Sequence, residues 1–167
     1  QAQRIGHGID VMHENDPYQL LQMLVDRDVL IEINLTSNDI ILGVKGEDHP
    51  FPTYLKYGVP VTLSTDDEGV ARINLTHEYL RAAQSYNLTY DQIKAMSRNS
   101  LSYSFAPGKR LWRSNKYDGF RAECADQKPH NSDLTNRCAR FLQKNPKAAL
   151  QWQLEQNYIN FEGDVSK

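Results

Sequence analysis

Three short apolar segments constrain this chain more than any other feature. RIGHG (4–8), VLIEIN (29–34) and VPVTLST (59–65) read as strands, and helix-forming stretches separate them. After the first strand, Asn15 or Asp16 offers a cap and Pro17 suits a first helical turn. Leu20, Leu21, Leu24 and Val25 then line one helical face. A polar loop is expected over roughly 35–49. Pro52 starts a short helix that Gly58 stops. Further helices are expected at about 76–86 and 90–103, the second opening with Thr89 and Gln92 in capping-box spacing. Repeated β/α units imply an α/β fold with a parallel sheet, because each crossover returns the chain to the same edge. The strands are nearly apolar, which fits a sheet covered on both faces. All three should be parallel and adjacent in chain order.

The pattern changes near residue 106. Residues 113–136 are polar and irregular, and two helices follow over about 133–144 and 146–160, with Pro146 opening the second. The chain thus divides into residues 1–112, which carry the β/α units, and 113–167, a polar segment and helical extension. Cys124 and Cys138 both fall in that extension. One reading makes them ordinary thiols. The other makes them a disulfide closing a loop of about 15 residues, worth ~3 kcal/mol, which requires an oxidising compartment. On the second reading the protein is exported or periplasmic, and on the first it is cytoplasmic. Three Asn-x-Thr sequons, at Asn34, Asn74 and Asn87, carry little weight, since such short patterns recur by chance.

The formal net charge is −2, so there is no electrostatic case for nucleic acid. No apolar run approaches the ~20 residues of a membrane span. Neither a nucleic acid nor a membrane is expected as a partner.

Ligands of parallel β/α proteins bind at the carboxyl ends of the strands. Here those ends carry Gly6-His7-Gly8, then Asn34-Leu35-Thr36-Ser37-Asn38, then Ser64-Thr65-Asp66-Asp67. Each has an ordinary explanation: a hydrogen-bonded structural histidine, turn chemistry in the Thr-Ser-Asn run, an aspartate capping the next helix. Together, at consecutive strand ends, they describe a polar pocket with oxygen and nitrogen donors suited to a hard or borderline metal. Asp66 and Asp67 are adjacent at a strand end, where successive side chains point to opposite sides, so the two acids can serve different partners.

RIGHGID, IEINLTSN and VTLSTDDEG, supported by HPFPTYLKYGVPVTLSTDDEG and RNSLSYSF, resemble the C-terminal part of the adenosine deaminase family. That family includes AMP deaminases and adenosine deaminase-like growth factors. The resemblance covers roughly residues 3–112. It implies the last three or so β/α units of a (β/α)8 TIM-type barrel, one catalytic Zn2+, and hydrolysis of the 6-amino group of an adenine nucleoside such as adenosine. By the same resemblance, His7 orients the zinc-bound hydroxide, Asp66 ligates zinc, and Asp67 hydrogen-bonds the purine N7. Ser37 and Asn38 fall where the family has polar residues behind the site.

Two departures matter. Glu68 follows the paired acids where family members often have proline. The family's His-x-His zinc ligands, third zinc histidine and general-acid glutamate lie on earlier strands, and no His-x-His occurs in this chain. His13, His49, His77 and His130 read as surface or capping residues. The expectation is a portion of a longer or two-chain enzyme, inactive alone, that partners with an N-terminal half-barrel or self-associates. The alternatives are an AMP deaminase-like enzyme and a non-catalytic, growth-factor-like interaction protein. Lys45 is the only cation between residues 38 and 49 available for a phosphate, which favours a nucleoside over a nucleotide.

Overall fold

The computed structural model describes residues 2–130 and 133–165. The chain forms two compact units, one ending at Tyr103 and the other beginning at Ser104.

The first unit is built on a three-stranded parallel sheet in the order β1 (Arg4–Gly6), β2 (Leu30–Ile33), β3 (Val61–Leu63). Arg4 pairs with Leu30, and Ile31 pairs with Val61. The strands are therefore parallel and adjacent in chain order, as the alternating pattern predicts. Leu30, Ile31 and Ile33 on β2 and all of β3 are buried, while β1 is exposed to half-buried. The core is formed by β2 and β3 with Leu21, Leu24, Phe51, Tyr54, Ala82 and Met96 from the surrounding helices.

Local signals set most helix boundaries. Asp16 accepts a hydrogen bond from the Gln19 N–H (3.1 Å) and starts α1 (Pro17–Asp26), with Pro17 in the first turn. The helix α3 (Phe51–Tyr57) ends at Gly58, which adopts a left-handed conformation. A four-residue helix, α4 (Glu68–Ala71), follows β3. Asn74 caps α5 (Leu75–Tyr86), and Thr89 with Gln92 forms the expected capping box of α6 (Tyr90–Ser102). The last of these is tied to β3: the Thr62 hydroxyl donates to the Met96 carbonyl (3.1 Å) and the Asn99 amide to the Val61 carbonyl (2.8 Å).

Residues 35–49 depart from the expected polar loop. They contain α2 (Leu35–Leu42) and a single 3-10 turn over Gly46–Asp48. Local sequence misleads here because the cap is not local. Asn34 occupies the N-cap position without a side-chain cap bond. The Thr36 N–H instead donates to Glu78 Oε2 (3.2 Å), and the Thr36 hydroxyl donates to Glu78 Oε1. Glu78 is fully buried and lies on α5, 42 residues away. It places a carboxylate at the positive end of the α2 dipole.

The second unit contains α7 (Asn136–Lys144) and α8 (Pro146–Val165), preceded by turns and an antiparallel bridge between Trp112 and Phe120. Its core is small and aromatic: Leu111, Trp112, Phe141, Leu142, Ala148 and Trp152 pack with the two cysteines. Cys124 and Cys138 form a disulfide, with Cα atoms 4.8 Å apart, which decides between the two readings of these residues. The Gln151 side chain, 1% exposed, accepts the Leu111 N–H at 2.7 Å.

Candidate active site

The carboxyl ends of the strands bring His7, Ser37, Asn38 and Asp66 together. His7 directly follows β1, and its N–H still donates to the Glu32 carbonyl (2.9 Å). It has φ +64°, in the left-handed region that non-glycine residues seldom occupy. Asp66 is left-handed too, at φ +53°. Such backbone costs of order 1 kcal/mol per residue, and its presence at the ends of both outer strands marks a place where side-chain direction overrides local preference. Gly8 completes the turn at φ +61°. A Cβ there would lie 2.6 Å from the Tyr54 hydroxyl oxygen, so only glycine fits. The Tyr54 hydroxyl donates to the Gly8 carbonyl, and burial pushes its pKa up, which keeps it a donor.

The Ser37 hydroxyl donates to Asp66 Oδ2 at 2.7 Å, and His7 Nε2 faces the same oxygen at 3.6 Å. On the other side of the ring, His7 Nδ1 is 2.9 Å from the Asn38 amide nitrogen and 3.3 Å from that of Asn34. His7 and Asp66 remain partly open, with side-chain exposures of 42% and 32%, whereas Asn34, Ser37 and Asn38 are buried. Two accessible polar groups are thus held by a buried scaffold, which suits a site that must admit a ligand yet keep its geometry.

Asp67 is exposed at the N-cap position of α4 and makes no side-chain cap bond. The opposite-sides argument from strand alternation does not apply to the paired acids, because β3 ends at Leu63. Asp66 lies in a left-handed turn and Asp67 in the next helix cap, so a turn separates them, not a pleat.

Two residues of the cluster were not visible as such in the sequence. Asn34 belongs to the polar strand-end run, but its burial against His7 is not readable from the sequence. His49 corrects an expectation. It is 1% exposed, not a surface residue, and its Nε2 is 3.1 Å from Asn38 Oδ1. Burial, with a smaller contribution from the Arg81 charge, holds its pKa down to about 4, so the ring is neutral. Its position directly before Pro50-Phe51, where a helix begins that buries Phe51 and Tyr54, is the available signal. His13, His77 and His130 are exposed, as expected. Behind α2, Arg81 binds Asp39 (2.6 Å) and the Thr36 hydroxyl (3.0 Å), and Lys45 binds Asp39 at 3.2 Å. These cations hold the Asp39 carboxyl below the usual carboxylate range.

Among the described residues no three His, Cys, Asp or Glu side chains converge on one point to hold a metal. Asp66 is the one carboxylate of the cluster, and its Oδ1 has no hydrogen bond from the described residues. The donor set fits one anionic ligand of a metal site, not a complete shell.

The family model described as adenosine deaminase matches residues 1–113. An adenosine deaminase of Aliivibrio fischeri is 43% identical over 105 residues, which are 62% of this chain and 31% of that protein. One from Enterococcus faecalis is 34% identical over 119 residues, covering 70% of this chain and 34% of the relative. Among solved structures, an adenine deaminase from Arthrobacter aurescens superimposes with a TM-score of 0.56 at 27% identity, over 63% of this chain and 32% of that one. The N6-methyl-AMP deaminase of Arabidopsis thaliana gives 0.54 at 28%, over 63% and 30%. The chain spans about a third of the length of the curated relatives it matches. Its three β/α units are the C-terminal portion of the barrel, and the chain belongs to the adenosine deaminase family.

Proposed function

We propose that this chain contributes part of the active site of a zinc-dependent hydrolytic deaminase acting on adenosine or a related aminopurine nucleoside. The observation that carries the reading is the cluster of His7, Ser37 and Asp66 at adjoining strand ends, within a member of this family. Asp66 is the zinc ligand, with Ser37 holding one oxygen and leaving the other for the metal. Zinc, when bound, lowers the pKa of its water towards ~7 and so supplies a nucleophile near neutrality. The other zinc ligands and the general acid come from residues outside this chain, in an N-terminal half-barrel, since a second copy would lack the same His-x-His. His7 directs Nε2 into the space beside Asp66 and orients the attacking water by hydrogen bonding. Asp67, exposed and uncommitted as a cap, binds the purine N7. N7 carries no proton, so this contact needs a proton shared between the two, and it strengthens as charge builds on the ring. Lys45 is already engaged by Asp39, which favours a nucleoside over a phosphorylated substrate. The disulfide of the second unit supports an exported or periplasmic protein.

The test uses the full-length protein. Asp66→Ala is expected to lose zinc and reduce turnover to background. Asp67→Ala is expected to keep zinc while lowering both kcat and kcat/KM. A 7-deaza substrate should react poorly with the unmutated protein and lose little more on Asp67→Ala. Loss of metal from Asp67→Ala with retention by Asp66→Ala would reverse the two roles. Absence of zinc and turnover from the full-length protein would end the reading.

A further inference from the structure

His7 offers two nitrogens, and only one of them faces Asp66. Which nitrogen carries the proton decides whether that face donates or accepts. Hydrogen-bond partners on the other face settle it, and they can be followed to a group whose proton is never in doubt.

That group is the Phe51 backbone N–H, which lies 3.1 Å from His49 Nδ1. A backbone amide only donates, so His49 Nδ1 must present its lone pair. A neutral imidazole then carries its proton on Nε2, which lies 3.1 Å from Asn38 Oδ1 and donates to it. This orients the Asn38 amide, so Nδ2–H points at His7 Nδ1 (2.9 Å). His7 Nδ1 therefore accepts, and the His7 proton is on Nε2, facing Asp66. The reverse order would turn the Asn38 amide around and require His49 to accept at both nitrogens. Such a ring is an anion, which near neutrality is out of reach. A doubly protonated His49 would set Nδ1–H against the Phe51 N–H, and its burial opposes the charge.

Asn34 follows the direction that His49 and Asn38 set, and does not set it. Its amide nitrogen is 3.3 Å from His7 Nδ1, and its Oδ1 is buried without a partner among the described residues. Turning that amide would set Oδ1 against the lone pair of His7 Nδ1. The orphaned oxygen is the expense of keeping both amides pointed at one acceptor.

We propose that His49 is a positioning residue: through Asn38 it locks His7 in the Nε2–H tautomer, so that His7 presents a donor and not a metal-binding lone pair to the space beside Asp66. The consequence for catalysis rests on the deaminase reading above. The tautomer itself does not, and it is measured separately.

The experiment is heteronuclear NMR of the full-length protein with 15N-labelled histidine, read beside zinc content and steady-state kinetics. Wild type is expected to show His7 protonated at Nε2 and His49 likewise. His49→Leu removes the donor to Asn38, so Nδ1–H should appear at His7, and kcat should fall about 10- to 100-fold with KM little changed. His49→Gln can place an amide N–H where Nε2 was, so it should restore both the tautomer and most of kcat. Asn38→Asp puts an acceptor against His7 Nδ1 and should reverse the tautomer even if His49→Leu fails to fold. The proposal is overturned if wild-type His7 is protonated at Nδ1, if Asn38→Asp leaves the tautomer unchanged, or if Gln and Leu at position 49 are equally impaired. If wild type neither binds zinc nor turns over, the deaminase reading fails, while the NMR arm still decides the relay.

Discussion

The two compact units of this chain reach order by different means. Through Tyr103, a parallel sheet and the helices around it bury a continuous apolar core. That core tolerates, at one end, a buried polar chain running from Phe51 through His49 and Asn38 to His7. From Ser104, two helices and a set of turns close on a few aromatic side chains and a disulfide. Small cores leave little margin over chain entropy, so covalent closure matters more there. Left-handed non-glycine backbone occurs in both units, at His7 and Asp66 in the first and at Tyr117 in the second, so it does not distinguish them. The smaller unit has Cys124 where its turns would otherwise be free.

The largest test of this contrast is a cavity in the sheet. Ile31 is 1% exposed on the central strand, and Ile31→Ala should cost about 2–5 kcal/mol. Hydrogen exchange on the full-length protein should show lost protection at β2 and β3; unchanged protection there would mean that the sheet is not the stabilising element. The disulfide comes next. Its sequence separation of 14 residues corresponds to ~3 kcal/mol. Reduction, or Cys124→Ser, should lower protection in α7 and α8 more than in the sheet. Equal loss in both units would contradict two separate sources of order.

A smaller effect sharpens the role of the polar chain in the first unit. His49 has a folded pKa of about 4 against 6.5 unfolded. Above pH 6.5 both states leave it neutral and it imposes no cost. As pH falls below 6.5 the unfolded chain takes up the proton and the folded chain does not. Stability then drops by about 1.4 kcal/mol per pH unit until pH approaches 4. Denaturation of wild type and His49→Leu across pH 4–7 should differ by that slope, and parallel curves would show that His49 is not held neutral. The smallest effect is Thr89→Ala. It removes the capping box of α6 and should cost ~1 kcal/mol, seen as fraying of the first turn in exchange.

Much of this was legible because it is local. Asp16 with Pro17, Gly58, and Thr89 with Gln92 set helix ends with groups a few residues away, and the structure uses each of them. The apolar runs became parallel neighbours because helical crossovers leave little other choice. His7, Ser37, Asn38 and Asp66 were legible as candidates because strand ends are where such folds place polar side chains. Misreadings arose where the partner is distant. The α2 helix looked like a loop because its cap, Glu78, comes from α5. His49 looked like a surface residue because the Pro50-Phe51 that follows it is a weak signal and its other partner, Asn38, lies on a different element.

By itself, the sequence determined the β/α order, most helix ends and the family, since periodicity, caps and motifs act over a few residues. Only the tertiary structure decided that Ser37 meets Asp66, that Asn38 lies between His7 and His49, and that Cys124 meets Cys138. Those outcomes depend on the direction of hydrogen bonds and on distances of a few ångströms between residues far apart in the chain. No local pattern encodes them, because each partner's position is set by the packing of a different element.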